Sequence, residues 1–370
     1  MILYTILYHM IETREKIHIV WTQDTESLVM SMVDILKENL GSLWYDIAKV
    51  LSYEINTYDE FTDEESTIWE LKHSVRGQHV WITADVNGKK IVLDKKLGNP
   101  MYVKYNDRLV QSLFLGNAAQ VHWCKTLNFI HTWMPYGRED KFPDGWLKET
   151  TKRTSTSAHF FLDVIKEQLS PDYYVTMDVH NSAIFKGNKV TKCVNLHTWR
   201  AVQRAVQLID KPNILLSGMD QWWDKKTEAI AGDLWLDYLN VIKKRSKTEN
   251  NTVEKIIIVW DPTGRDVLIH DDILDTGGSF DKLVREMWKV GTPNSVNAVI
   301  TAGLFNGSAN EKLVKLHDEK LIGTIFITNA VYRNHYPDFV TVFDAAPNYA
   351  EVIEAAFTNR SINFNKWVTR

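Results

Sequence analysis

Asp271 and Asp272 stand side by side at the end of an apolar run, and Asp275, Thr276, Gly277, Gly278 and Ser279 follow two residues later. Paired carboxylates accept hydrogen bonds from neighbouring sugar hydroxyls, and the side chains of Thr276 and Ser279 donate to an anion. Gly277 and Gly278 let the backbone curl and approach a ligand closely. The run 267–270 predicts a buried strand ending at the carboxylates, and 280–289 has the spacing of an amphipathic helix. A strand, a turn and a helix in that order aim backbone N–H groups and a helix N-terminus at one point, which suits a phosphate monoester. Without the aspartate pair, the turn reads as a helix cap behind a core strand. With the pair at this spacing, it reads as a ribose-phosphate site.

Such a site needs a sheet behind it. Apolar runs at 80–84, 127–134, 173–179, 213–217, 295–301 and 323–328 predict strands, and helical spacing at 27–40, 107–126, 155–169, 198–209 and 226–239 predicts the helices between them. Segments 256–260 and 266–270 are expected to form a hairpin across the Asp261-Pro-Thr-Gly264 turn. The opening residues 1–8 read as a first strand rather than a signal peptide. Alternation of this kind implies α/β domains with mostly parallel sheets, whose sites gather at the carboxyl ends of the strands. The domain division falls near 194–198, and the tail from Ala350 is a candidate to pack back across it.

A chain of 370 residues suits two domains, each with its own core. A net charge of −4 gives no reason to expect nucleic acid or an anionic membrane as partner. Cys124 and Cys193 lack a metal-ligand spacing, so a reducing, cytoplasmic setting is expected. No apolar run approaches the length of a membrane span.

The Asp271–Ser279 segment closely resembles the D-D-x-x-D-T-x-G-[ST] motif of type I phosphoribosyltransferases and ribose-phosphate pyrophosphokinases. That motif alone leaves both classes open. Met134-Pro-Tyr-Gly-Arg138-Glu139-Asp140, with Arg153, Ser157 and Ala158 further on, would otherwise be a solvated turn leading to a helix. It resembles the P-Y-x-R-Q-D … R-x-x-x-S-A block of the pyrophosphokinases, which simple transferases lack, and the loop here is about eight residues longer. Thr176-Met-Asp-Val-His180 is similar to the family's T-M-D-L-H, although Ala183 stands where glutamine is usual. Asp220-Gln-Trp222-Trp223-Asp-Lys225-Lys226 stands in place of D-A-G-G-x-K-R, with both glycines replaced by tryptophan; the plain alternative is a pair of indoles plugging an interface. Lys243, Lys244 and Arg245 match a K-x-R on a flexible loop and are otherwise a solvated charge run. Phe61-Thr-Asp63-Glu64-Glu65 and Ser74-Val-Arg-Gly77 are similar to F-S-D-G-E … S-V-R-G.

The resemblance implies two phosphoribosyltransferase type I-like domains. Residues 1–196 form a pyrophosphokinase-like domain and 197–370 a phosphoribosyltransferase-like domain carrying the phosphoribosyl motif. It further implies Mg2+-dependent transfer of diphosphate from ATP to the anomeric hydroxyl of ribose 5-phosphate, releasing AMP. On that basis Arg138, Glu139, Asp140, Arg153, Asp63 and Glu65 bind ATP, and Asp271, Asp272, Asp275, Thr276, Gly277, Gly278 and Ser279 bind the ribose phosphate. Asp220, Trp222, Trp223 and Lys225 line the diphosphate or acceptor loop. His180 and Asp220 serve the metal, and Lys243 and Arg245 the transition state. The implied assembly is a homo-oligomer built from dimers, up to a hexamer. The tryptophan pair, Glu64 and the longer loop leave ADP-ribose open as the acceptor, giving its 1-diphosphate for NAD synthesis. A non-catalytic regulatory homologue remains a further alternative.

Overall fold

A parallel strand covered on both faces is buried along nearly its whole length, and the central strands of both sheets in this chain are. The computed structural model describes residues 15–43, 45–55, 57–60, 67–88, 91–93, 100–102, 105–138, 156–185, 192–219, 221–245, 253–361 and 368–369. These form two compact units, 1–196 with 344–370 and 197–343. The strand expected at 1–8 lies outside the described residues.

In the first unit, β1 (Ile17–Trp21), β2 (Leu51–Ile55), β3 (His79–Ala84), β4 (Thr126–His131), β5 (Tyr173–Met177) and β6 (Cys193–Leu196) run parallel in the order β6-β5-β4-β3-β1-β2. Helices α1 (Glu26–Ser42), α2 (Tyr105–Val121) and α3 (Ser157–Val164) connect them. Helix α1 buries Leu28, Val29, Met32, Val33, Leu36 and Leu40, three or four residues apart, as one apolar stripe. The helix expected at 107–126 stops at Val121, because Trp123 turns left-handed (φ 62°) and Thr126 already opens β4.

In the second unit, β7 (Ile214–Gly218), β8 (Asp237–Leu239), β11 (Asp266–Leu274), β12 (Ser295–Gly303), β13 (Ile325–Thr328) and β14 (Val340–Phe343) form an all-parallel sheet ordered β8-β7-β11-β12-β13-β14. Helices α4 (Trp199–Ile209), α5 (Gln221–Asp233), α6 (Gly278–Val290) and α7 (Ala309–Asp318) complete it. The strand order reverses between β7 and β11, the kind of place where open parallel sheets bind ligands beyond the carboxyl ends of their strands. Between β8 and β11, β9 (Val241–Arg245) and β10 (Val253–Ile258) pair as a separate antiparallel ribbon.

That ribbon corrects the hairpin expected between 256–260 and 266–270. The Asp261 turn does form, its carboxylate accepting from the Thr263 N–H (2.9 Å) and hydroxyl (2.6 Å). However, β11 is buried at eight of nine positions and takes the centre of the parallel sheet, leaving β10 to pair with β9. A second correction concerns the helix expected at 226–239, which begins at Gln221 and ends at Asp233, with β8 following.

The chain then returns to the first unit. Helix α8 (Ala346–Phe357) packs on α1, where Asn39 Nδ2 donates to Glu354 Oε2 at 2.8 Å. The Tyr349 hydroxyl donates to the Thr132 carbonyl at 2.7 Å, and β15 (Val368–Thr369) adds antiparallel to β6. The second unit therefore ends at Phe343 rather than with the chain, because the apolar face of α8 is buried on the first unit's core.

Candidate functional site

The aspartate pair lies inside a strand rather than after one. Strand β7 ends at Gly218, opposite His270, while β11 runs on to Leu274 beside the equally long β12. Among the described residues, Asp271–Leu274 thus have a strand neighbour on one side only. Asp271 is 9% exposed and Asp272 1%. Successive strand residues point to opposite faces, so the two carboxylates leave β11 in different directions. Just before them His270 is buried, its ring bridging the hydroxyls of Thr198 and Thr227 at 3.2 Å each, with Thr301 3.0 Å from Thr198. The two bonds tie β11 to the N-cap of α4 and to α5.

The turn that follows leads directly into α6. Gly277 is the N-cap of α6 with φ 71° and ψ −4°, a left-handed conformation that suits glycine. Gly278 and Ser279 occupy the first helical turn, where unpaired N–H groups and the positive end of the helix dipole converge. Asp275, Gly278 and Ser279 are half-buried, Gly277 is buried and Thr276 is exposed.

Two side chains that the sequence did not single out hold this turn. Asn306 donates its backbone N–H to the Asp275 carbonyl (2.9 Å) and its Nδ2 to Asp275 Oδ1 (2.8 Å). Lys312 on α7 donates from Nζ to the Thr276 carbonyl at 3.0 Å. The N–H groups of Leu304 and Phe305 both reach the Leu274 carbonyl, at 2.9 and 3.1 Å. The loop after β12 is therefore bonded along the back of the turn.

The other expected residues of the second unit divide between helix and ribbon. Trp222, Trp223 and Lys225 lie in the opening turns of α5, directly after β7, and Lys225 is exposed. Lys243 and Arg245 lie on β9, whose turn (246–252) is outside the described residues, as is Asp220.

In the first unit, His180 is half-buried three residues beyond β5. Asp178 takes a left-handed φ of 41°, donates its N–H to the Leu196 carbonyl (2.8 Å) and turns the chain there. Val179 N–H is then held by Asn195 Oδ1 at 3.1 Å. Arg138 is exposed at the end of a tight turn after β4. Within it the Tyr105 hydroxyl accepts from the Tyr136 N–H at 2.7 Å, and a Cβ on Gly137 would sit tightly against the Met134 carbonyl at 3.2 Å. Asp63, Glu65, Glu139, Asp140 and Arg153 lie outside the described residues. Burial pushes the Cys124 and Cys193 thiols up to about 11 and about 12, so neither is a nucleophile at neutral pH.

No family model matches the chain. A Wolinella succinogenes protein named ribose-phosphate pyrophosphokinase is 27% identical over 320 residues, 86% of this chain and 93% of its own. Ribose-phosphate pyrophosphokinase 4 of Saccharomyces cerevisiae is 24% identical over 347 residues, 93% of this chain and 97% of its own. Over most of its length the chain is similar to the ribose-phosphate pyrophosphokinases. The solved phosphoribosylpyrophosphate synthetase of Mycobacterium smegmatis has the same fold, with a TM-score of 0.71 at 19% identity over 93% of this chain and 99% of that one. Trp222 and Trp223 stand where the pyrophosphokinase pattern has two glycines. Tryptophan favours helix more than glycine does, and α5 starts at Gln221, ahead of both.

Proposed function

We propose that this protein transfers the diphosphate of ATP to the anomeric hydroxyl of ribose 5-phosphate. The hydroxyl oxygen bonds to the β-phosphorus, the bond from that phosphorus to the α–β bridging oxygen breaks, AMP leaves and the hydroxyl proton is released. The supporting observation is the Asp271–Ser279 strand, turn and helix at the switch point of the second sheet. Relatives named for this activity, aligned over most of the chain, point the same way. In this reading Asp271 and Asp272 orient the sugar, and the turn from Asp275 to Ser279 binds its 5-phosphate. Arg138, with Asp63, Glu65, Glu139, Asp140 and Arg153, binds the nucleotide. Lys243 and Arg245, on a ribbon able to close, neutralise charge as the phosphoryl bond shifts.

Among the described residues no three acidic, cysteine or imidazole side chains form a cluster able to hold a metal ion. Magnesium bound mainly through water and phosphate oxygens requires only one or two protein donors, and His180 with Asp220 fits so sparse a set. When bound, the ion supplies charge neutralisation on the phosphates.

A second reading with the same chemistry takes ADP-ribose as acceptor. It is favoured by the helical start of α5, which puts Trp222 and Trp223 beside the end of β7 where the family has glycine. Incubation with Mg-ATP and either sugar, followed by AMP release, tests both. Release with neither sugar would sink the diphosphotransfer reading. Release with ADP-ribose alone, lost in the Trp222→Gly/Trp223→Gly variant, would select the second acceptor.

A further inference from the structure

The phosphate turn carries no cationic side chain of its own. Its residues bring N–H groups, two hydroxyls and the Asp275 carboxylate, and two more carboxylates stand just upstream in β11. A phosphate monoester brings a further charge of about −1.5 to −2 at neutral pH. A half-dipole at the α6 N-terminus, worth roughly +0.5, does not balance that sum. The missing charge comes from 36 residues away. Lys312 lies on α7, with Nζ 3.0 Å from the Thr276 carbonyl. The same ammonium lies 3.8 Å from where a Cβ on Gly278 would sit, beside the first turn of α6.

We propose that Lys312 supplies the positive charge of the phosphate turn and selects a phosphorylated sugar over an unphosphorylated one. The inference rests on the reading that this turn holds a 5-phosphate. Asn306 completes the arrangement by taking the Asp275 carboxylate onto its amide, which keeps that negative charge engaged behind the turn. Lys312 is then a specificity residue, acting on bound phosphate from beside the turn backbone while the N–H groups make the direct contacts.

The test is binding of inorganic phosphate and of ribose 5-phosphate to the full chain by calorimetry, which needs no turnover. Lys312→Met should weaken both about ten- to hundredfold, the worth of one charge-assisted interaction. Lys312→Arg should restore most of the loss, and binding of unphosphorylated ribose should not change. Where AMP release is measured, KM for the sugar phosphate should rise while KM for ATP stays level. Lys312→Gln replaces the Met variant if thermal unfolding shows the latter to be misfolded. Unaltered phosphate affinity without the lysine, or an arginine that restores nothing, would overturn the proposal. A wild-type protein that binds phosphate in this lysine-dependent way yet releases no AMP would fail only the diphosphotransfer reading.

Discussion

Gly277 and Gly264 form a matched pair. Both adopt the left-handed region, at φ 71° and 72°, but Gly277 caps the phosphate turn while Gly264 sits in the turn before β11. A Cβ on Gly277 would meet Ala309 Cα at 3.7 Å, an ordinary contact, and one on Gly264 would meet nothing within 4 Å. Alanine at either position therefore carries only the left-handed backbone cost, about 1–2 kcal/mol. For a unit of this size that lowers the unfolding midpoint by roughly 2–4 °C per kcal/mol. Urea unfolding should give the two variants equal losses. Steady-state kinetics should separate them, because strain at position 277 is relieved by rotating the N–H groups that face the anion. KM for the sugar phosphate should rise about tenfold or more in Gly277→Ala, a loss of roughly 1.4 kcal/mol, and stay level in Gly264→Ala. Equal kinetics in the two variants would refute the anion role of the turn. A stability loss above about 3 kcal/mol at Gly277 would show that crowding, not backbone conformation, explains the glycine.

The remaining predictions concern charge. Arg108 and Asp24 pair at 2.8 Å with side chains 1% and 4% exposed; Arg108→Met should cost about 3–5 kcal/mol and the double variant with Asp24→Leu should recover most of it, so a double variant as unstable as the single would contradict the pairing. Burial pushes the Glu54 carboxyl up, but His18 and His73, at 3.1 and 2.7 Å, outweigh it and hold it below its ordinary value, while burial drives the His131 imidazole down to about 3. In both cases the unfolded chain binds the extra proton, so stability should fall as pH drops below about 6.5 through His131 and again below about 4.3 through Glu54. Urea titrations across pH should show His131→Gln flattening the upper step and Glu54→Gln the lower, and unchanged slopes would count against the assignment. Lys243→Ala should lower kcat about a hundred- to thousandfold while KM for ATP changes little; near-normal turnover would remove the ribbon from the chemistry.

What could be read in advance followed from how locally it is encoded. The phosphate turn is contiguous, so Asp271 to Ser279 were legible as a unit, and the helical stripe of α1 was visible in its spacing. Asn306 and Lys312 lie 31 and 36 residues from the groups they bond, and nothing in their own neighbourhood marks them. The misplaced hairpin shows the opposite limit. The turn chemistry of Asp261 and Thr263 was sound, yet strand pairing is decided by which run is buried on both faces, and β11 is buried at eight of nine positions. Helical spacing marks α5 only from 226, whereas the helix begins at Gln221, and Trp222 and Trp223 within it favour helix over the glycines of the family pattern.

Because α8 and β15 belong to the unit that begins the chain, residues 197–343 are an insertion within it. During synthesis the inserted unit is complete before the last described helix of its host is made. Domains fold as they emerge, so the phosphate-turn half can reach its native state first, while α1 waits with an uncovered apolar face for α8. A stop codon just after Phe343 would then damage the half of the protein farthest from it in sequence order, sparing the half it adjoins.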